Sequence, residues 1–195
     1  MRSVFAFLLL FTVAGPAPAL AADSEAAAPA IASPNAQSRL DKLFAELKRE
    51  RNEKAAERIA DRIREQWNKS GSASIDLMML WSGEAMEAKK FDVALDFLDQ
   101  VVTLSPTYAE GWNRRATVHF MMNNYQKSMA DIEKTLEFEP RHFGALAGMA
   151  QILSNTGRKE MALEAYQRVL DIYPMMRAAQ AQMATISEEL AGEGI

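Results

Sequence analysis

The sequence predicts an all-α fold, a solenoid of stacked antiparallel helix pairs, and three observations predict it. Pro106, Pro140 and Pro174 stand 34 residues apart. A fixed spacing in that range is the mark of a repeated supersecondary unit. Aligned on the prolines, the stretches 75–108, 109–142 and 143–176 put small residues at the eighth place (Ser82, Ala116, Ala150) and at the twentieth (Ala94, Ser128, Ala162). Bulky residues fill the twenty-fourth place (Leu98, Ile132, Tyr166). Apolar residues elsewhere recur at helical period, with no strand-like alternation and no Asn-Gly turn signal.

In chain order, "MRSVFAFLLLFTVAGPAPALAADS" places Arg2 before an apolar run, then prolines, then small residues. That layout is a secretory signal over 1–22, with cleavage expected after Ala21 or Ala22. Segment 23–37 is rich in Ala, Ser and Pro and reads as a flexible tether. Residues 38–70 read as a divergent helical hairpin: Leu40, Leu43, Phe44 and Leu47 share one helical face, and Ile59, Ile63 and Trp67 share another. It lacks the small residues in phase and the closing proline, which suits a capping unit. Three repeats follow over 75–176. Within each, two helices approach where side chains are small, turn at Lys89-Lys90, Asn123-Asn124 or Gly157-Arg158, and stop at the proline. Segment 177–191 reads as a single capping helix with Met183, Ile186 and Leu190 facing inward.

These units resemble tetratricopeptide repeats, whose pattern runs W-x2-L-G-x2-Y, then A-x3-F, then P. The middle unit carries it at Trp112, Ala116, His119, Ser128, Ile132 and Pro140, and the last at Met149, Ala150, Ala162, Tyr166 and Pro174. The first is weaker at its front but clear in "FDVALDFLDQVVTLSP". The resemblance implies a right-handed superhelix.

Composition excludes several functions. The chain has 49% hydrophobic and 25% charged residues and a formal charge of -4, without the basic excess of a nucleic-acid binder. It has no cysteine and two histidines, with no metal-ligand or nucleophile pattern. His119 falls where the repeat usually has tyrosine and reads as a packed ring, and His142 reads as a solvated or capping residue at a turn. "GRKEMA" lacks the second glycine and the strand of a phosphate loop. Asp96/Asp99 and Glu133/Glu137 read as solvated helix faces. No catalytic residue, metal or cofactor is therefore assigned. Residues 39–69 hold ten basic against seven acidic side chains, and from 71 onward eleven stand against seventeen.

The resemblance further implies that the first helices of successive units line a concave groove that receives a partner peptide. Carried over by position, the groove residues are Met79, Met86, Asn113, Arg114, Thr117, Phe120, Met121, Gln151 and Asn155. Arg114 is expected to face the groove, where a guanidinium can grip a carboxylate. Arg115 is expected to pack its stem and extend its head to solvent, and internal pairing of both arginines is the competing reading. A clamp for an acidic chaperone tail would need lysine and asparagine where Met79 and Gly83 stand. The sequence thus reads as an exported, non-catalytic protein-interaction adaptor of a bacterial periplasm. Its alternatives are a self-assembling homo-oligomer and an envelope-surface binder acting through the basic hairpin, with any membrane contact transient or through an uncleaved signal.

Overall fold

The computed structural model describes residues 34–193, which form nine α-helices joined by short turns. They are α1 (Pro34–Arg49), α2 (Glu53–Trp67), α3 (Ala73–Glu87), α4 (Phe91–Leu104), α5 (Ala109–Met121), α6 (Tyr125–Phe138), α7 (Phe143–Asn155), α8 (Lys159–Ile172) and α9 (Arg177–Glu193). The assigned signal segment 1–22 and residues 23–33 of the assigned tether lie outside the described residues. Positions 34–37 of that tether already belong to α1. No helix among the described residues is long and apolar enough to cross a membrane.

Helices α3 to α8 are the three predicted pairs. The small residues sit at the crossings: Ser82, Ala94, Ala116, Ser128, Ala150 and Ala162 are at most 3% exposed. Ser128 also donates its hydroxyl to the Ala116 carbonyl at 2.8 Å, stapling α6 to α5. Each pair turns in the same way. Lys89, Asn123 and Gly157 adopt φ of 55°, 59° and 75°. The next N–H then reaches back to the carbonyls of Ala85, His119 and Leu153, each at 2.8 Å. That backward bond over a left-handed residue ends a helix while satisfying its last carbonyls.

The turns between pairs also repeat. Tyr108, His142 and Met176 donate their N–H to Ser105, Glu139 and Tyr173 at 3.0, 3.0 and 3.1 Å. Trp112 Nε1 donates to the Pro106 carbonyl at 2.8 Å, and Gln180 Nε2 does the same to Pro174 at 2.7 Å. Helix α9 therefore begins as the first helix of a fourth unit. Gly111 permits the step from α4 to α5, because a Cβ there would stand 2.7 Å from Val101 Cγ1 in the core.

The hairpin α1–α2 forms, but it does not share the first unit's core. Leu43, Phe44, Leu47, Ile63 and Trp67 join one core with Phe143, Leu146, Val169, Tyr173 and Ile186 of α7–α9. Ile75, Met79, Leu98 and Val101 close a separate core between α3 and α4. The physical reason is aromatic. Trp67 stacks on His142 with centroids 4.0 Å apart and leans on Phe143 at 4.9 Å and Phe44 at 5.9 Å. Polar contacts line the same seam: Arg141 donates to Asp41 at 2.8 Å and lies over the Phe44 ring at 4.2 Å, and Arg177 donates to Glu53 at 3.1 Å. Each large apolar side chain buried there contributes roughly 1.5–3 kcal/mol.

Candidate functional site

A cavity of about 170 Å³ opens on the wall formed by α5 and α7, with α6 behind it. Its floor is Ala116, Ser128, Ile132 and Ala145, and its rim carries Asn113, Thr117, Phe120 and Gln151. Glycine makes the room. Gly144 and Gly148 lie one helical turn apart on α7 and both line the space. A Cβ at Gly148 would meet Ile132 Cδ1 at 3.5 Å, an ordinary contact. The helix would tolerate alanine there, and glycine leaves the floor open instead.

The rim is uncharged, three polar side chains beside Phe120. Asn113 Nδ2 donates to Glu110 Oε2 at 3.0 Å, and Thr117 Oγ1 donates to the Asn113 carbonyl at 2.9 Å. Gln151 accepts from the Tyr166 hydroxyl at 3.3 Å and donates to Asn155 at 2.9 Å, while Asn155 donates to the Tyr125 hydroxyl at 3.2 Å. Phe120 leans on Tyr125 with centroids 5.7 Å apart. The wall is held in place by bonds to its own neighbours.

Of the nine groove positions carried over by resemblance, Asn113, Thr117, Phe120 and Gln151 meet at the cavity, and Asn155 adjoins it through Gln151. Met79 is 3% exposed and belongs to the α3–α4 core, and Met86 packs against the same cluster. Met121 is exposed, apart from the cavity lining.

Arg114 turns away from the cavity. Its Nη1 donates to the Met79 carbonyl at 2.9 Å, and its Nη2 donates to Asn68 Oδ1 at 3.0 Å and lies 3.5 Å from Glu110 Oε1. It ties α5 to α3 and to the end of α2. Arg115 departs from its expectation as well, because its head does not extend freely to solvent. It donates through Nε and Nη2 to both oxygens of buried Asp131 at 2.8 and 2.7 Å, and through Nη1 to Asp99 at 2.8 Å. A buried carboxylate such as Asp131 needs a fixed cation, so the guanidinium is drawn in. Internal pairing therefore describes both arginines.

The histidines resolve differently. His142 is buried, and its Nδ1 accepts from the Ala145 N–H at 3.0 Å, capping α7. With Nδ1 accepting, the ring proton is on Nε2, which donates to Glu110 Oε2 at 3.1 Å. Burial pushes the Glu110 carboxyl up, but the bonds from His142 and Asn113 and the charge of Arg114 prevail and hold it below its ordinary range. His119 packs as predicted, 7% exposed, with Nδ1 lacking a hydrogen-bond partner among the described residues. Burial lowers its pKa despite Asp131 nearby. A surface cleft beside it holds Asp99, Arg115, Lys127 and Asp131, where both acids are bound to Arg115. Asp99 lies on a solvated helix face, as its spacing suggested, and there gives one oxygen to Arg115.

The floor of the cavity escaped sequence reading. Its signal was present in Gly144 and Gly148, two glycines a turn apart inside an otherwise regular helix, where glycine is disfavoured unless space is needed.

Comparison with known proteins agrees with this architecture. Residues 143–174 match the family model described as "Tetratricopeptide repeat". A TPR repeat-containing protein of Rhizobium etli is 56% identical over 161 residues, covering 83% of this chain and 79% of its own. Among solved structures, the first TPR of Spaghetti (RPAP3) bound to the HSP90 peptide SRMEEVD superposes with a TM-score of 0.59 at 19% identity, covering 62% of this chain and 95% of its own. The Sgt2 TPR domain from Aspergillus fumigatus gives a TM-score of 0.59 at 17% identity, over 63% of this chain and 83% of its own. With the 34-residue turns, the small residues at the crossings and these likenesses together, the chain belongs to the tetratricopeptide repeat family.

Proposed function

We propose that the chain is a non-catalytic interaction module that holds an extended segment of a partner protein across α5 and α7, seating one apolar side chain in the cavity. The observation that carries this reading is the cavity itself. At about 170 Å³ it is close to the size of an engineered interior cavity that accepts benzene, so it suits one leucine, methionine or phenylalanine side chain. Amides at Asn113 and Gln151 flank it, where a guest backbone would find hydrogen-bonding groups. A related fold, the first TPR of Spaghetti, is known bound to a peptide, which supports a groove role. The acidic peptide of that complex is a poor guide to this guest, because Arg114, the guanidinium at this level, is spent on Met79, Asn68 and Glu110.

The segment 1–22 supports export of this module to the periplasm or beyond, with cleavage after Ala21 or Ala22. The groove reading is tested with Gly148→Leu, which fills the cavity. Extended peptides bearing a central Leu or Phe should bind the unaltered chain with micromolar affinity, and Gly148→Leu should weaken them about tenfold at unchanged helicity. Equal binding by both chains would exclude the cavity as the anchor site.

A further inference from the structure

Because α1–α2 is spent on α7–α9, the outer face of the first unit has no helix pair stacked on it. Its apolar residues remain in solvent. Leu77, Leu80 and Trp81 of α3 are 43, 56 and 41% exposed, and Val93 and Leu104 of α4 are 43 and 66% exposed. Trp81 and Phe97 touch, with centroids 5.4 Å apart, so the stripes of the two helices join in one surface. A terminal unit of a solenoid normally turns a polar face outward, and this one does not.

The charge around that surface indicates what would cover it. Helices α3 and α4 carry Asp76, Glu84, Glu87, Asp92, Asp96 and Asp99 and no Lys or Arg. Exposed Lys89 and Lys90 in the turn between them stand beside Glu87 and Asp92 in the chain, which leaves Glu84 and Asp96 as the acids set back from that turn. Asp99 is bound by Arg115, and Asp76 accepts from Ser70. Glu84, Glu87, Asp92 and Asp96 are exposed and make no ion pair among the described residues. Glu84 follows Trp81 by one turn, and Asp96 adjoins Phe97, so the acids border the apolar stripe. A second copy docking through the same face would bring these carboxylates together, which is unfavourable. The chain's own basic hairpin is already committed elsewhere. We propose that this face docks an amphipathic helix of a partner protein, with a Leu-like stripe set on Leu77, Leu80 and Trp81 and flanking Lys or Arg set on Glu84 and Asp96.

The probe is a Leu/Lys amphipathic helical peptide of about 18 residues, compared with its Leu/Glu counterpart, titrated against the full chain as the cell processes it. The Leu/Lys peptide should bind with micromolar affinity and quench tryptophan emission, with the Leu/Glu peptide at least about tenfold weaker. Leu80→Ser and Glu84→Lys should each weaken binding about fivefold or more at unchanged helicity. Glu133→Lys, on α6, and Gly148→Leu should leave it unchanged, which separates this face from the groove. The proposal is overturned if the Leu/Lys peptide does not bind, or if Glu133→Lys weakens it as much as Glu84→Lys, which would reveal unspecific charge attraction. It is equally overturned if the peptide-free chain sediments as a dimer that Leu80→Ser dissolves, because a second copy would then be the occupant.

Discussion

The two ends of the solenoid are finished in opposite ways. At the C-terminal end α9 continues the stack as half of a fourth unit, and α1–α2 folds back to close the seam around Phe143 and Tyr173. At the N-terminal end α3 and α4 present Leu80, Trp81 and Leu104 to solvent. Repeats of the same pattern therefore carry different duties according to what lies beside them. A solenoid is held by nearest-neighbour interfaces, so moving one hairpin from one end to the other stabilises the end it reaches and leaves an apolar face uncovered at the end it left.

The sharpest way to break this contrast is to delete one tryptophan at each end. Trp67 is 9% exposed and sits among Phe44, His142 and Phe143, whereas Trp81 is 41% exposed. Removing a buried tryptophan commonly costs 3–5 kcal/mol. The indole N–H of Trp67 is buried without a hydrogen-bond partner among the described residues, which places its loss near the lower figure, about 3 kcal/mol. Trp81→Ala should cost under about 1 kcal/mol. Urea unfolding of both variants measures the difference. Comparable losses would mean that the hairpin is not docked on α7–α9 in solution.

Between the ends, the middle unit should answer to pH through His119. Its ordinary pKa of 6.5 is lowered in the fold, first by burial. As pH falls through 6.5 the unfolded chain takes up a proton that the folded ring refuses, so stability declines from there down to the folded value. Glu110 acts later and in the same sense: its folded carboxyl lies below the ordinary 4.5, so what it contributes is present above that pH and lost as pH falls through the folded value. The slope of unfolding free energy between about pH 6.5 and 5 should flatten in His119→Phe, whatever the absolute stability of that variant. An unchanged slope would place the titrating group elsewhere.

The repeat frame was legible because it rests on local chemistry that recurs. The prolines, the small residues at the crossings and the intra-unit turns all fall where the 34-residue spacing placed them. The docking of α1–α2 was not legible. Leu43, Phe44, Ile63 and Trp67 announce an amphipathic hairpin, but not which exposed apolar seam it will cover, since α3 and α7 both offer one. The cavity was half legible: Asn113, Thr117, Phe120 and Gln151 follow from position within the unit, while its depth comes from side chains absent at Gly144 and Gly148. The ties of Arg114 and Arg115 to other helices were not legible, for a third reason. Their partners, Asn68, the Met79 carbonyl, Asp99 and Asp131, come from other helices and become neighbours only once the pairs stack.

The smallest effect compares the same turn in the first and last units. Lys89 and Gly157 hold equivalent left-handed positions, with φ of 55° and 75°. A non-glycine residue there costs about 1–2 kcal/mol of backbone strain, partly offset because glycine gains more freedom on unfolding. Lys89→Gly should therefore stabilise the chain by about 0.5–1 kcal/mol, and Gly157→Ala should destabilise it by about 1 kcal/mol. Apart from Gly157 itself and its chain neighbours, no atom of the described residues lies within 4 Å of where a Gly157 Cβ would stand, so that cost is a backbone cost and the pair of variants isolates one variable. Thermal unfolding should move in opposite directions for the two substitutions. If Lys89→Gly lowers the midpoint instead, the first turn is not held left-handed in solution, and the first unit is looser than the last in its backbone as well as in its uncovered face.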